Sequence, residues 1–203
     1  MAEHSDVVEL RALVPMEPGG TERIDWTAAE ASLGTRLPAD YRSFLDTYGV
    51  GDILNMVVLP PMEIDVIGPS IATETDEFRT LWNEDGGVTG VAGDVLPWGG
   101  GCNANLLGWL TTGPDPDAWP VVVWRRHMSS DETHWALFDC GMVRFIVRLM
   151  RAEFDRCPLG DASLWGRPAP FISRREQRRR LVAGLDPMTG EPDPYAEMFP
   201  IHE

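Results

Sequence analysis

The chain has 203 residues, 43% of them hydrophobic, with 32 acidic against 17 basic residues and a formal net charge of −15. That length and apolar content suffice for one domain with a sizeable core, and no apolar run approaches the roughly 20 residues of a membrane-spanning helix. The acidity argues against nucleic acid as a partner, because binding it requires basic surface that releases phosphate counterions.

Residues 5–13 predict a short helix or strand, and 14–23 a loop. Residues 26–49, WTAAEASLGTRLPADYRSFLDTYG, predict two helices. Asp25 or Thr27 is placed to cap the first, and Gly34 to end it. Pro38 suits the first turn of the second, where its missing N–H costs nothing. Leu37, Tyr41, Phe44, Leu45 and Tyr48 then fall on one helical face, and Gly49 and Gly51 stop the helix. Residues 55–59 predict a strand, and the alternation over 63–67 predicts a second, half-buried one. Residues 70–83 carry Ile71, Phe78, Leu81 and Trp82 at helical spacing. Glu74, Asp76 and Glu77 lie early in that helix, where its dipole favours them. Residues 85–93 read as a glycine-rich loop.

Three strands follow. Residues 95–98 form a short one, 104–110 are apolar on both faces and therefore central, and 119–125, with Val121, Val122 and Val123, have the strongest strand composition. Asp115-Pro116-Asp117 makes the turn between the last two, which predicts an antiparallel hairpin. Residues 134–139 predict another strand. Residues 143–154 predict a helix with Phe145, Ile146, Leu149 and Met150 inward and Arg144, Arg148 and Arg151 toward water. Residues 158–172, with Pro158, Pro168 and Pro170, are expected to wrap the surface. Ser173 caps a helix closed by Gly184, and 185–203 read as a flexible tail. The order predicts an α+β domain over 1–157, with an antiparallel or mixed sheet of five to six strands and helices on one side, followed by a C-terminal extension over 158–203.

Few residue groups offer chemistry. Gly99-Gly100-Gly101-Cys102, with His127, His134 and Asp139 downstream, could suggest a nucleophile loop. It lacks the local signatures of cysteine hydrolases and the Lys and Ser/Thr of a phosphate loop, so it reads as a tight turn beside a strand. His127 and His134, with Asp131 and Glu132 between them, read as a solvated hairpin rather than a metal site. Arg178-Arg179-Arg180 is too short for a nucleic-acid site and reads as a solvated helix end. Cys102, Cys140 and Cys157 fit neither a disulfide framework nor a zinc site. With an N-terminus that lacks a signal pattern, they predict reduced thiols and a cytoplasmic location. No catalytic residue, cofactor or metal is therefore expected. Of the eight tryptophans, Trp26, Trp98, Trp109 and Trp124 are assigned to the core, and Trp82, Trp119 and Trp165 to partly exposed positions.

Charge is unevenly placed. Residues 1–120 hold 20 acids against 5 Arg, whereas the remainder balances at 12 of each, and all 17 basic residues are Arg. The excess either serves solubility alone or steers a basic protein partner.

Two segments carry a family pattern. The first comprises Trp26, Glu30, Leu33-Gly34, Leu37-Pro38, Asp40-Tyr41, Phe44 and Tyr48-Gly49. The second is LPWGGGCNANLLGWL over 96–110, with Asn105 and Trp109 at its marked positions and Leu106-Leu107 where Gly-Asp is usual. Together they resemble the SUKH superfamily over residues 20–155. The resemblance implies an α+β domain without catalytic machinery. In bacteria many such domains are immunity proteins that bind and block a cognate toxin, often a nuclease or deaminase; others are interaction hubs, among them cell-wall regulators. An acidic face covering a basic toxin cleft is the expected mechanism, with contacts from Asp52, Glu63, Asp65, Glu74, Asp76, Glu77, Glu84 and Asp85 and with Trp82 as an anchor. The alternative is a regulatory or scaffold domain. Neither reading involves nucleic acid or a membrane.

Overall fold

The computed structural model describes residues 3–16, 23–64, 68–101, 103–128, 132–160 and 163–196. The His4 ring accepts the Asp6 amide and opens α1 (Ser5–Leu10). Asp25 accepts the Ala28 amide at 3.1 Å and opens α2 (Trp26–Leu33). Gly34 ends α2 at φ +67, a left-handed turn that glycine makes without strain. Pro38 is the N-cap of α3 (Ala39–Tyr48), one residue before the first turn where it was expected. Then come β1 (Gly51–Ile53), β2 (Met56–Val58), α4 (Ile71–Glu84), β3 (Asp94–Gly101) and β4 (Leu106–Thr111). A 3₁₀ turn at Pro116–Ala118 leads to β5 (Val121–Trp124) and β6 (Trp135–Phe138). The chain continues through α5 (Met142–Met150), β7 (Phe171–Ser173) and α6 (Arg174–Val182).

The seven strands form one sheet in the order β6-β5-β4-β3-β2-β1-β7, with every pair of these strands antiparallel. The fold is α+β, and the sheet has seven strands rather than five to six. Glu63 and Ile64 are not in a strand, and residues 65–67 lie outside the described residues. The added strands are β1 and β7, three residues each, which pair Gly51 with Ser173 and Ile53 with Phe171. A seventh strand thus comes from the segment beyond residue 157, where a surface wrap was expected.

Helices cover both faces of the sheet, not one. The alternation along β5 shows why: Val121 and Val123 point into one apolar cluster and Val122 into another. Under the first face lie α1, α3 and α5. Tyr41 meets Trp109 edge-on at 5.2 Å, Phe145 meets Trp98 at 6.2 Å, and Phe44 meets Phe171 at 6.0 Å. Tyr41 donates its hydroxyl to Leu59 O at 2.7 Å and Tyr48 to Val14 O at 3.0 Å, so both buried phenols are satisfied. Arg144 pairs with Asp6 and Glu9, and Arg151 with Glu9, tying α5 to α1. The second face carries α4, whose Phe78 and Trp82 pack on Val95, Leu110, Val122 and Trp135.

Asp40 links two helices. Its Oδ1 accepts the Tyr41 amide at 2.7 Å and its Oδ2 the Val143 amide at 2.9 Å. Gly141, the N-cap of α5, has no side chain to satisfy that orphan donor, so α3 supplies the cap. Burial pushes the Asp40 carboxyl up, and the two amide hydrogen bonds work against that rise.

At the C-terminal end Ser173 caps α6. Arg180 is 9% exposed rather than solvated, and it reaches Glu176, Pro187 O and Met188 O. Asp186 caps a turn through the Met188 and Thr189 amides at 2.9 and 2.7 Å. Residues 185–196, expected as part of a flexible tail, thus form a hydrogen-bonded turn on α6, while 197–203 lie outside the described residues. No helix among the described residues is long and apolar enough to cross a membrane.

Candidate functional site

The acidic residues converge on α4. Its first turn is fixed by Ser70 and Thr73: the Ser70 hydroxyl accepts the Thr73 amide at 3.2 Å, and Thr73 Oγ1 accepts the Ser70 amide at 3.0 Å. This reciprocal box satisfies two otherwise orphaned donors. Phe78 and Trp82, one turn apart, are 2% and 6% exposed and lock the helix on the sheet. With that stripe inward, Asp76, Glu77, Glu84 and Asp85 are exposed and Glu74 is half-buried. Among the described residues none of Glu74, Asp76, Glu77 and Glu84 has an ion-pair partner. Arg79, the one cation of α4, turns aside to Asp94 at 2.7 Å. Asp85 accepts the Trp124 indole N–H at 2.6 Å.

Beside α4 the sheet surface sinks into a cleft of about 230 Å³. Val57, Gly100 and Leu106 floor it and are direct register partners across β2, β3 and β4. Phe78 and Pro69 wall it, and Glu74 and Glu77 line the α4 side. Gly99, Gly100 and Gly101, expected as a tight turn, are instead the last residues of β3. Close backbone approach explains Gly99. A Cβ at Gly99 would lie 2.5 Å from Val57 O, whereas at Gly100 it would lie 3.3 Å from Asn105 O and 3.9 Å from Leu106 Cδ2. A bulge between Pro97 and Gly99 shifts the register on β4 just before the cleft. Asn105 is 2% exposed and fixes the far rim: its Nδ2 donates to Leu159 O at 2.7 Å and its Oδ1 accepts the Arg126 amide at 3.2 Å.

The other expected contact residues are dispersed. Asp52, on β1, is the register partner of both Val57 and Ile172, so it shares the cleft's face one strand away. Its Oδ1 is buried without a hydrogen-bond partner. Burial raises the carboxyl to about 6, while Gln177 and Arg174 of α6 favour the charged form. Glu63 is exposed in the loop after β2 and lines a separate depression with Arg23 and Asp25. Asp65 lies outside the described residues. Trp82 is not a protruding side chain: its ring meets Trp135 edge-on at 4.8 Å, and a Cβ at Gly87 would strike it at 2.6 Å. Trp119 is likewise buried at 4%, and Trp26 and Trp124 are only half-buried.

Cys102 and Asp131 lie outside the described residues. The His134 ring nitrogen Nδ1 bonds Arg125 O at 2.8 Å and the ring stacks on Trp124, which gives it a structural place at the β5–β6 ladder. Among the described residues no group of three or more His, Cys, Asp or Glu is arranged to hold a metal ion. Another depression mixes Arg125, Arg148 and Arg156 with Glu153 and Asp155, so its charges offset one another. The α4 cleft is different: it is mostly apolar, carries two carboxylates, and among the described residues has no cation in its lining. Sequence reasoning missed this floor, whose signal was a glycine run inside a strand.

No curated protein and no solved structure matches the chain. A family profile, SUKH_6, described as SMI1-KNR4 cell-wall, matches residues 24–137, a span that runs from before α2 into β6 and includes α4 and the cleft. The chain therefore belongs to this SUKH family, whose domains are protein-interaction domains and are generally non-catalytic.

Proposed function

We propose that this chain is a non-enzymatic immunity domain that binds a basic toxin domain, of nuclease or deaminase type, in the cytoplasm and blocks it by covering its cationic surface. The observation that carries this reading is the outer face of α4, where Glu74, Asp76, Glu77 and Glu84 have no ion-pair partner among the described residues. Charges left unpaired within the protein are available to a partner, and a one-signed face raises association rates through long-range attraction. Membership of a protein-interaction family supports a protein as that partner. The family's description as SMI1-KNR4 cell-wall favours a second reading, a regulatory or scaffold domain in a cell-wall or signalling assembly.

The test is capture from the native lysate by wild type and by the variant Glu74→Arg/Asp76→Arg/Glu77→Arg, at low and moderate salt. The captured protein is then assayed for nuclease or deaminase activity with and without the domain. The expected result is one basic protein whose activity the wild type suppresses, with a slower association for the variant. A captured protein without such activity, held equally well by the variant, would overturn the immunity reading and leave the scaffold reading.

A further inference from the structure

We infer, on the protein-binding reading above, that the cleft between α4 and β3 receives one basic side chain, a lysine or arginine, projected by the partner protein. Three properties of the site point to that chemistry. Its volume, about 230 Å³, is below the range of roughly 300–1,000 Å³ typical of small-molecule pockets, so it suits one side chain. Its floor and walls are apolar: Val57, Leu106, Phe78 and Pro69, with the bare backbone of Gly100 between them. Its α4 side presents two carboxylates, Glu74 and Glu77, and among the described residues no cation lines it. Arg174 reaches this region from α6 but donates to Pro69 O at 3.3 Å and is not part of the lining.

Lysine and arginine are the side chains that match both halves of this surface. Each lays an apolar stem along apolar surface and ends in a charge that seeks a polar partner. Beside a low-dielectric floor, attraction between that charge and Glu74 and Glu77 is stronger than in bulk water. A neutral apolar side chain would fill the floor and leave both carboxylates unpaired. A short acid would be repelled. Gly100 sets the depth: any side chain there would stand on the floor, and the 3.3 Å approach to Asn105 O asks only a small adjustment of the strand for alanine.

The probe is a short capped peptide, acetyl-Gly-Arg-Gly-amide or its lysine counterpart, titrated into the isotope-labelled full chain and followed by backbone amide NMR. The neutral controls replace the basic residue with citrulline or norleucine. The expected result is a saturable shift of the Gly99, Gly100 and Gly101 amides with the basic peptides. Binding should weaken roughly tenfold in Glu74→Gln/Glu77→Gln and be lost in Gly100→Ala, whose unperturbed remaining spectrum would show an intact fold. Equal binding of the citrulline or norleucine peptide would overturn the inference, as would shifts confined to the Asp76, Glu84 and Asp85 amides or no shift at all. The titration uses no toxin, so a filled cleft with no toxin inhibited would sink the immunity reading alone. A toxin inhibited equally by wild type and Gly100→Ala would sink the cleft alone.

Discussion

Asp52→Asn should make the protein more stable at neutral pH, and the gain should itself depend on pH. Asp52 stands in β1 between Val57 and Ile172 with its Oδ1 buried and without a hydrogen-bond partner. Its carboxyl titrates at about 6 in the fold against 3.8 in the unfolded chain, chiefly because burial disfavours the charge. A raised folded-state pKa means the protonated form is the one the fold prefers. The associated stability is fully present below about pH 4 and is lost as pH rises through about 6. A shift of roughly two units corresponds to about 3 kcal/mol at full value. The side chain is only partly enclosed, so solvent screening reduces that figure and about 1–2 kcal/mol is expected. Asparagine keeps the shape and cannot ionise. Urea unfolding of both proteins from about pH 4 to about pH 8 should show curves that nearly coincide at the acid end and separate to that plateau above about pH 7. The many other acids contribute to both curves and cancel in the difference. A constant offset across the range would refute the reasoning, because it would mean that Asp52 carries no burial cost when charged.

Two further substitutions test the packing that positions the site. Asp40→Ala strands the Val143 and Tyr41 amides and removes the cap that α3 lends to α5; it should cost about 1–3 kcal/mol in denaturant unfolding, and Asp40→Asn should recover only part of that loss, because its single amide oxygen can accept from one of the two backbone amides while its NH2 group faces the other. Gly108→Ala drives a Cβ to 2.3 Å from the Phe78 ring and 2.8 Å from Leu96 O, so it should cost about 1–3 kcal/mol through overpacking; combined with Phe78→Ala, the double variant should lose less than the sum of the singles, and strict additivity would disprove contact between the two positions.

Much of this was readable locally. The stretch from Trp26 to Gly49 states its two helices outright, because the Asp25 cap, the Gly34 stop and the aromatic face of α3 are all short-range signals. The acidic edge of α4 was equally plain, since Phe78 and Trp82 define one side and the acids the other. β1 and β7 were not readable. Each has three residues; β7 is extended because of a partner about 120 positions away in the chain, and β1 is held between that strand and its neighbour β2, with Gly51 at home there because a Cβ would come within 2.3 Å of Ile172 O. The placement of α4 was misjudged although a clue was present: β4 and β5 are apolar on both sides, and a sheet apolar on both sides needs cover on both. Trp82 shows the limit from the other direction, because an aromatic at the edge of a helical stripe gives no sign of whether a neighbour such as Trp135 will enclose it. The cleft was the least legible feature, being assembled from Val57, Gly100 and Leu106 on three strands.

The division of labour along α4 explains how one helix can hold position and still present unpaired charge. Glu74 and Glu77 stand three residues apart, and like charges at that spacing cost a helix about 0.2–0.5 kcal/mol. Glu74 in the first turn recovers a similar amount from the helix dipole. Against these small quantities, burying Phe78 and Trp82 contributes about 1.5–3 kcal/mol or more for each ring. The inner stripe therefore fixes the helix whatever its outer face carries. Substitutions at Asp76 and Glu84 can therefore change charge at little cost to the fold. Gly99 beside the cleft floor has no such freedom, because a Cβ there would lie 2.5 Å from Val57 O on the neighbouring strand. On the proposal above, Glu74 and Glu77 beside the apolar slot would hold the basic anchor, and Asp76 and Glu84 would be left to tune the charge around it.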